Sequence, residues 1–194
     1  RGTRIQTPDG AVAVEELRVG DAVLTYDGAP ALIIWTGHRS VDCTAHPRPD
    51  LVWPVRVRTG TFGRGLPRRD LWLSPDHCLY LEQVLIPVKC LIDGDAIAQV
   101  PLDAVTYFHI ELPRHGVVLA EGLPAESYLD TDGRSNFTNG GGVIRLFPDF
   151  ASLSDDAAFL WEALGYAPRR VIGAGVAAAR QRVKGRRRRL PAQY

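Results

Sequence analysis

No methionine occurs anywhere in the 194 residues, position 1 included, so the chain is expected to be a fragment or a processed product of something longer. Long apolar runs are missing too. None approaches the ~18 residues of a spanning helix, and no signal-peptide pattern opens the chain. Charge of one sign is scarce: basic residues number 23 and acidic residues 22, a formal net charge of +1. The body of the chain therefore has no electrostatic footprint for nucleic acid or a membrane surface. Cysteine is limited to Cys43, Cys78 and Cys90, an odd set with no C-x-x-C pair. Neither a disulfide framework nor a zinc ribbon follows, and buried free thiols acting as small hydrophobes are expected. An apolar fraction of 45% is ordinary for a chain with a real core, and the length suits one domain, or one domain with an extension.

What is present is β punctuation. Pro8-Asp9-Gly10 and Asp27-Gly28 are turn signals between short apolar runs. The pattern predicts strands at Thr3–Thr7, Ala22–Tyr26, Ala31–Thr36, Trp53–Arg58, Asp70–Leu73, Cys78–Leu81, Val84–Val88, Ile97–Val100, Val105–Leu112 and Gly116–Ala120. Many short strands at close spacing imply an all-β sandwich, barrel or compact irregular β-fold. Val14–Val19 suits one helical turn, while Cys43–Asp50 and Gly60–Arg69 read as loops. After about residue 130 the character changes. Thr131–Gly142 is polar and Gly-rich, a linker with Gly140-Gly141-Gly142 at its flexible centre. Ser152 or Ser154 offers an N-cap with Asp155 and Asp156 in the first turn. Ala157, Leu160, Trp161 and Leu164 follow at helical spacing, and a second helix is expected over Ala174–Lys184. The tail Arg186-Arg187-Arg188-Arg189 reads as a solvated terminus, with weak contact to anionic lipid or nucleic acid, or a charged helix end packing on an acidic partner, as the alternatives.

One stretch carries chemistry. Leu73-Ser74-Pro75-Asp76-His77 closes a strand-like run with a hydroxyl and an imidazole three residues apart on a tight turn, from which both can address one peptide bond. Alone it is ordinary turn chemistry. It stands, however, after Gly2-Thr3-Arg4-Ile5 and Val19-Gly20-Asp21-Ala22-Val23-Leu24, and before Arg114-His115-Gly116-Val117-Val118-Leu119-Ala120-Glu121-Gly122. In that order these motifs resemble the Hint domains of hedgehog autoprocessing proteins and inteins, most closely the bacterial hedgehog/intein branch, over roughly residues 1–130. The resemblance implies a Hint-type compact β-fold, followed here by a C-terminal helical extension with a basic tail over 131–194.

It also implies a reaction. A Cys or Ser attacks the carbonyl of its own preceding peptide bond, an N–S or N–O acyl shift, and the resulting thioester or ester is then cleaved. Holding both partners in one chain supplies proximity, worth up to ~7–11 kcal/mol in well-oriented cases. Ser74 and His77 would stand for the family's T-x-x-H, with Ser in place of the commoner Thr. His77 would donate a hydrogen bond or proton to the scissile amide nitrogen, and Ser74 would orient that amide or stabilise the oxyanion. His115 is a second imidazole with a family counterpart, assigned to late steps. Asp70, on the strand leading to the motif, is a candidate for the accompanying acid; Asp42 and Asp50 are weaker ones.

Two departures matter. The family nucleophile stands one to three residues upstream of Arg1, and nothing in the chain as given replaces it, so this fragment is expected to be inactive. The closing Asn of splicing inteins and the His before it are missing from Leu123-Pro124-Ala125-Glu126-Ser127, so full splicing is not expected. The substrate would be the chain's own upstream polypeptide in cis, with water or a small thiol as acceptor, and the family suggests a secreted or cell-surface precursor. No cofactor is expected. Cys43-Thr44-Ala45-His46 has the spacing of two zinc ligands but no marked partners. His109 is expected as a half-buried sheet residue facing opposite Phe108 and Ile110, and His38 as a surface strand end. Two other readings are a non-catalytic structural or secretion-associated Hint module and a hydrolase acting in trans through Ser74, His77 and perhaps Asp70. The second lacks a G-x-S-x-G elbow.

Overall fold

The computed structural model describes residues 1–151 and 155–187, which form thirteen strands and two α-helices. In chain order the strands are β1 (Arg4–Thr7), β2 (Gly10–Ala13), β3 (Ala22–Leu24), β4 (Pro30–Leu32), β5 (Trp35–Asp42), β6 (Val55–Val57), β7 (Leu71–Leu73), β8 (Cys78–Leu81), β9 (Val84–Pro87), β10 (Ile97–Gln99), β11 (Ala104–Glu111), β12 (Val117–Ala120) and β13 (Leu123–Glu126). The helices are α1 (Asp155–Leu164) and α2 (Ala174–Arg187). A six-stranded antiparallel sheet runs β2-β1-β12-β13-β8-β9. A three-stranded sheet runs β10-β6-β7, and β11-β5 and β3-β4 are separate pairs. This is the all-β, Hint-type architecture of many short strands with a C-terminal helical region.

The hairpins are set by their turn residues. Pro8-Asp9 links β1 to β2, and the Thr7 hydroxyl donates to the Gly10 carbonyl at 2.7 Å. Glu121-Gly122 links β12 to β13 with both residues in the left-handed region, the turn geometry that matches strand twist. Glu82-Gln83 does the same between β8 and β9 without a glycine; Glu82 is tied by an ion pair to Arg182 of α2 at 2.9 Å.

Four expectations are revised. Ala31–Thr36 is not one strand: β4 pairs with β3, and the chain then changes partner. The Ile33 amide donates to Asp21 and the Ile34 amide to Glu111, both at 2.9 Å, so β5 begins only at Trp35 and pairs with β11. His38 consequently lies inside a strand, exposed and stacked on Phe108, not at a strand end. Leu123–Glu126 is a strand despite Pro124, because pairing with β8 begins only at Ala125, opposite Leu79. Val14–Glu16 forms a hydrogen-bonded turn.

The main core gathers Val57, Leu71, Leu79, Ile86 and Ile97 from two sheets, with Leu91 from the 3₁₀ turn after β9, and reaches into the C-terminal segment, where Val176, Ala179 and Val183 form the buried face of α2. Trp161 of α1 packs on Cys78, Leu85 and Val117. Residues 168–170 extend the sheet beyond β9: Leu85 donates to Pro168 and accepts from Arg170. The Gly-rich stretch is anchored as well, by buried Phe137 and by Asn139, which bridges the His38 amide and the Thr36 carbonyl of β5. The N-cap candidates Ser152 and Ser154 lie outside the described residues, as does the end of the arginine tail.

Gly122 has φ +80°, and a Cβ there would meet Leu66 Cδ2 at 2.7 Å. Gly122→Ala is expected to lower stability by more than the ~1–2 kcal/mol of the left-handed conformation alone. Gly28→Ala, at φ +85° but with open space around it, should cost only the conformational part. Urea unfolding of the two variants checks the difference.

Candidate functional site

The Ser74–His77 step is a turn between β7 and β8, closed by the His77 amide donating to the Ser74 carbonyl at 3.1 Å. Four outside residues brace it. The Asp76 carboxylate pairs with Lys89 and with Arg169, each at 2.7 Å. The Asp76 amide donates to Phe150, and the His77 carbonyl accepts from Val88, both at 2.9 Å. A turn with that many anchors has little freedom to reorient.

The turn opens on two adjoining cavities. The first, about 450 Å³, is lined by Ser74 and His77, by His109 of β11, and by Arg1 and Thr3 at the amino-terminal approach to β1. The second, about 500 Å³, shares Ser74, His77, His109, Glu126 and Tyr128, and its far wall comes from the C-terminal segment: Asn136, Phe137, Phe150 and Trp161. The His77 and His109 rings face each other with centroids 5.3 Å apart.

The amino-terminal strand is fixed beside this space by one buried carboxylate. Glu121, only 5% exposed, accepts from the Arg4 amide at 2.7 Å and from the Arg69 guanidinium, which also donates to the Gly2 carbonyl at 2.7 Å. Although its burial opposes ionisation, these donors outweigh it and hold the Glu121 carboxyl below the usual range.

The site itself is electrically quiet. Burial pulls His77 down to about 4, against a smaller opposing effect of its hydrogen bond to the Glu126 backbone. Burial, with His77 nearby, takes His109 to about 3. Both rings still present surface to the cavities. Burial also raises Glu126 to about 8, so near neutrality it is mostly a protonated carboxyl. Its Oε1 accepts from the Cys78 amide at 2.8 Å, and among the described residues its Oε2 has no hydrogen-bond partner. Two neutral imidazoles and a neutral acid thus meet at one peptide-sized space, an arrangement suited to moving protons without carrying charge.

Ser74 and His77 are brought together here, although no hydrogen bond joins their side chains among the described residues. Asp70 lines neither cavity: it accepts from the Thr59 amide at 2.9 Å and faces Arg56 at 4.0 Å. His115 also lies off both cavity walls. Its Nδ1 accepts from the Tyr166 amide at 2.9 Å, so the proton sits on Nε2, which donates to the Ser127 carbonyl at 3.1 Å. Edge-on contact with Trp161 completes its enclosure. Asp42 caps the turn at Thr44 and Ala45, and Asp50 pairs with Arg48. His46 is buried, its Nε2 beside the Pro148 carbonyl, and among the described residues no cluster of three or more metal-ligating groups forms. Cys43 and Cys78 are buried free thiols and Cys90 is half-buried. Reading the sequence missed His109 as a cavity wall, and Glu126 and Arg69 altogether. The Glu121-Gly122 signal marked a turn, but nothing in it marked the carboxylate's role.

A family profile described as Hint domain matches residues 1–132. No curated protein matches the chain. Among solved structures, the chain is similar to the MchDnaB-1 intein (N145AA), with 17% identity over 66% of this chain and 97% of that one, at a TM-score of 0.47. It is also similar to a bacterial intein-like domain from Clostridium thermocellum, with 17% identity over 66% and 95% and a TM-score of 0.44. A DnaB intein from Synechocystis shows 10% identity over 66% and 96%, with a TM-score of 0.43.

The raised Glu126 carboxyl has a consequence for stability. Between its unfolded value near 4.5 and its folded value of about 8, the folded chain holds a proton that the unfolded chain releases. The contribution of this group therefore falls as pH rises through that window. Glu126→Gln should keep the Cys78 hydrogen bond and reduce the loss of Tm between pH 5 and pH 8, as thermal melts of the two proteins would show.

Proposed function

The chain belongs to the Hint domain family, and from that membership we propose that it is a cis-acting self-processing domain, performing an N–S or N–O acyl shift and cleavage at its own amino-terminal junction. One observation carries the reading: Arg1 and Thr3 line the same cavity as Ser74, His77 and His109, so a peptide bond a few residues upstream of Arg1 in a longer precursor would be led toward that space.

The chemistry turns on the tautomer of His77. Its hydrogen bond to the Glu126 carbonyl places the ring proton on that side and leaves the other nitrogen as an acceptor. A Cys thiol or Ser hydroxyl from the upstream residues attacks the carbonyl carbon of its preceding peptide bond. The new S–C or O–C bond forms as the proton passes to His77. The tetrahedral intermediate collapses with breakage of the C–N bond, and the imidazolium returns its proton to the departing amine. An imidazole held near 4 is a weak base but, once protonated, a strong acid, so the second transfer is the easier one. Ser74, 4% exposed, contributes orientation of the amide. Water or a small thiol then cleaves the acyl group from the side chain. With neither Asn nor His in Leu123–Ser127, the reaction ends at amino-terminal cleavage.

The test is intact-mass spectrometry of a precursor with its upstream residues restored, with and without added thiol, beside His77→Ala. Cleavage before an upstream Cys or Ser is expected, accelerated by thiol if the nucleophile is Cys, and slowed ~10²–10⁴-fold in the variant. A precursor intact in all three samples would mark a non-catalytic structural module instead. The rate should also show no inflection near pH 6.5, the ordinary imidazole value, because His77 stays neutral until close to pH 4.

A further inference from the structure

His109 is enclosed as completely as His77 but has no established task. It lies in β11 opposite Gly37 of β5, where a Cβ would collide with the Trp35 ring at 2.3 Å and touch Phe137 at 3.0 Å. That absent side chain lets Trp35, Tyr128 and Phe137 close into an aromatic wall, with ring centroids 5.0–5.5 Å apart. His109 rests against this wall, 5.0 Å from Phe137 and nearly parallel to Phe150 at 6.4 Å. Among the described residues neither of its nitrogens has a hydrogen-bond partner, and no hydrogen bond joins it to His77. A neutral imidazole always carries one N–H and one lone pair. His109 is half-buried and lines the cavity, so its donor and acceptor are available to whatever enters that space.

We propose that His109 is a second catalytic residue of the site, donating its N–H to the carbonyl oxygen of the reacting peptide bond and stabilising the oxyanion that forms there. This rests on the acyl-shift reading and adds a division of labour to it. His77, with one nitrogen engaged by Glu126, offers the cavity an acceptor; His109, its ring centroid 5.3 Å away in the same lining and both its nitrogens open, offers a donor. A peptide group in the cavity they both line would have its carbonyl oxygen toward His109 and its nitrogen toward His77. No proton leaves His109: the hydrogen bond strengthens as negative charge builds on the oxygen and relaxes when the C–N bond breaks. An uncharged imidazole polarising a carbonyl in a water-poor site is established enzymatic chemistry.

The test compares His109→Phe, His109→Asn and His109→Gln in the upstream-extended precursor, following formation of the thioester or ester by mass. Phe keeps the packing and loses the donor; the amides pack less well but can donate from the positions of the two ring nitrogens. The donor role predicts a loss of at least about 100-fold in His109→Phe, with partial recovery in His109→Asn or His109→Gln. A packing role predicts the reverse order. A His109→Phe precursor as fast as the parent, or faster than both amide variants, overturns the proposal. Should the Phe variant not fold, ¹⁵N spectra of the unaltered chain decide: His109 is expected to stay neutral, with one N–H, from pH 5 to pH 8, and titration near 6.5 would overturn the assignment. An unaltered precursor that never cleaves removes the acyl-shift reading and this inference with it, whereas a cleaving precursor insensitive to His109 removes only the latter.

Discussion

The six-stranded sheet is joined into one by β13, and the candidate site depends on that junction. On one side β13 pairs with β12 through the Glu121-Gly122 turn; on the other it meets β8 at Ala125 opposite Leu79. Two carboxyls are positioned as a result. Glu121, at the start, holds the Arg4 amide and Arg69 and so fixes the amino-terminal strand. Glu126, at the end, accepts from the Cys78 amide, while its backbone steadies the His77 ring. Remove the strand and both the amino-terminal approach and the imidazole lose their common reference.

Burial then sets the chemistry. Moving a charge out of water is costly, so groups with no counter-ion adopt their neutral forms: the two imidazoles are pushed down and Glu126 is pushed up. Formal charges remain where partners and solvent share the load. Asp76 is held between Lys89 and Arg169, Glu121 meets Arg69, and Arg134 bridges Glu111 and Asp130 while lying over Trp35 at 4.8 Å. These pairs brace the neutral centre from outside without placing a field inside it. The proposed acyl shift would benefit from that order, because neutral donors need no reorganisation when negative charge appears.

The segment after residue 130 belongs to the same construction. Phe137, Phe150 and Trp161 form the far wall of the second cavity, Arg169 braces the Ser74–His77 turn, and α2 contributes Val176, Ala179 and Val183 to the main core. The family profile ends near residue 132, yet the space around His77 and His109 is walled on one side by residues beyond that limit. His115 joins the two parts, taking the Tyr166 amide on one nitrogen and giving its proton to Ser127 with the other.

Local features were legible in the sequence alone. Period-two patterning found most strands, Pro8-Asp9-Gly10 and Asp27-Gly28 marked turns, and the S-x-x-H step stood out because a strand end and a proline turn are encoded within a few residues. The β5 start and β13 escaped because exchange of pairing partners at Ile33–Ile34, and tolerance of Pro124, are decided by neighbours distant in the chain. The site divides along the same line. Ser74 and His77 share one turn, so their spacing was visible. Asp70 sits only one short strand before Ser74, yet strand direction turns it toward Thr59 and Arg56. His109 and Glu126, by contrast, reach His77 only because β11 and β13 fold back onto the turn from far along the chain. The sequence by itself determined which residue types stand at a strand, a turn or a helix. Which of them share one buried space, and so lose their charge together, was decided by tertiary pairing, because burial belongs to the packed whole and to no single segment.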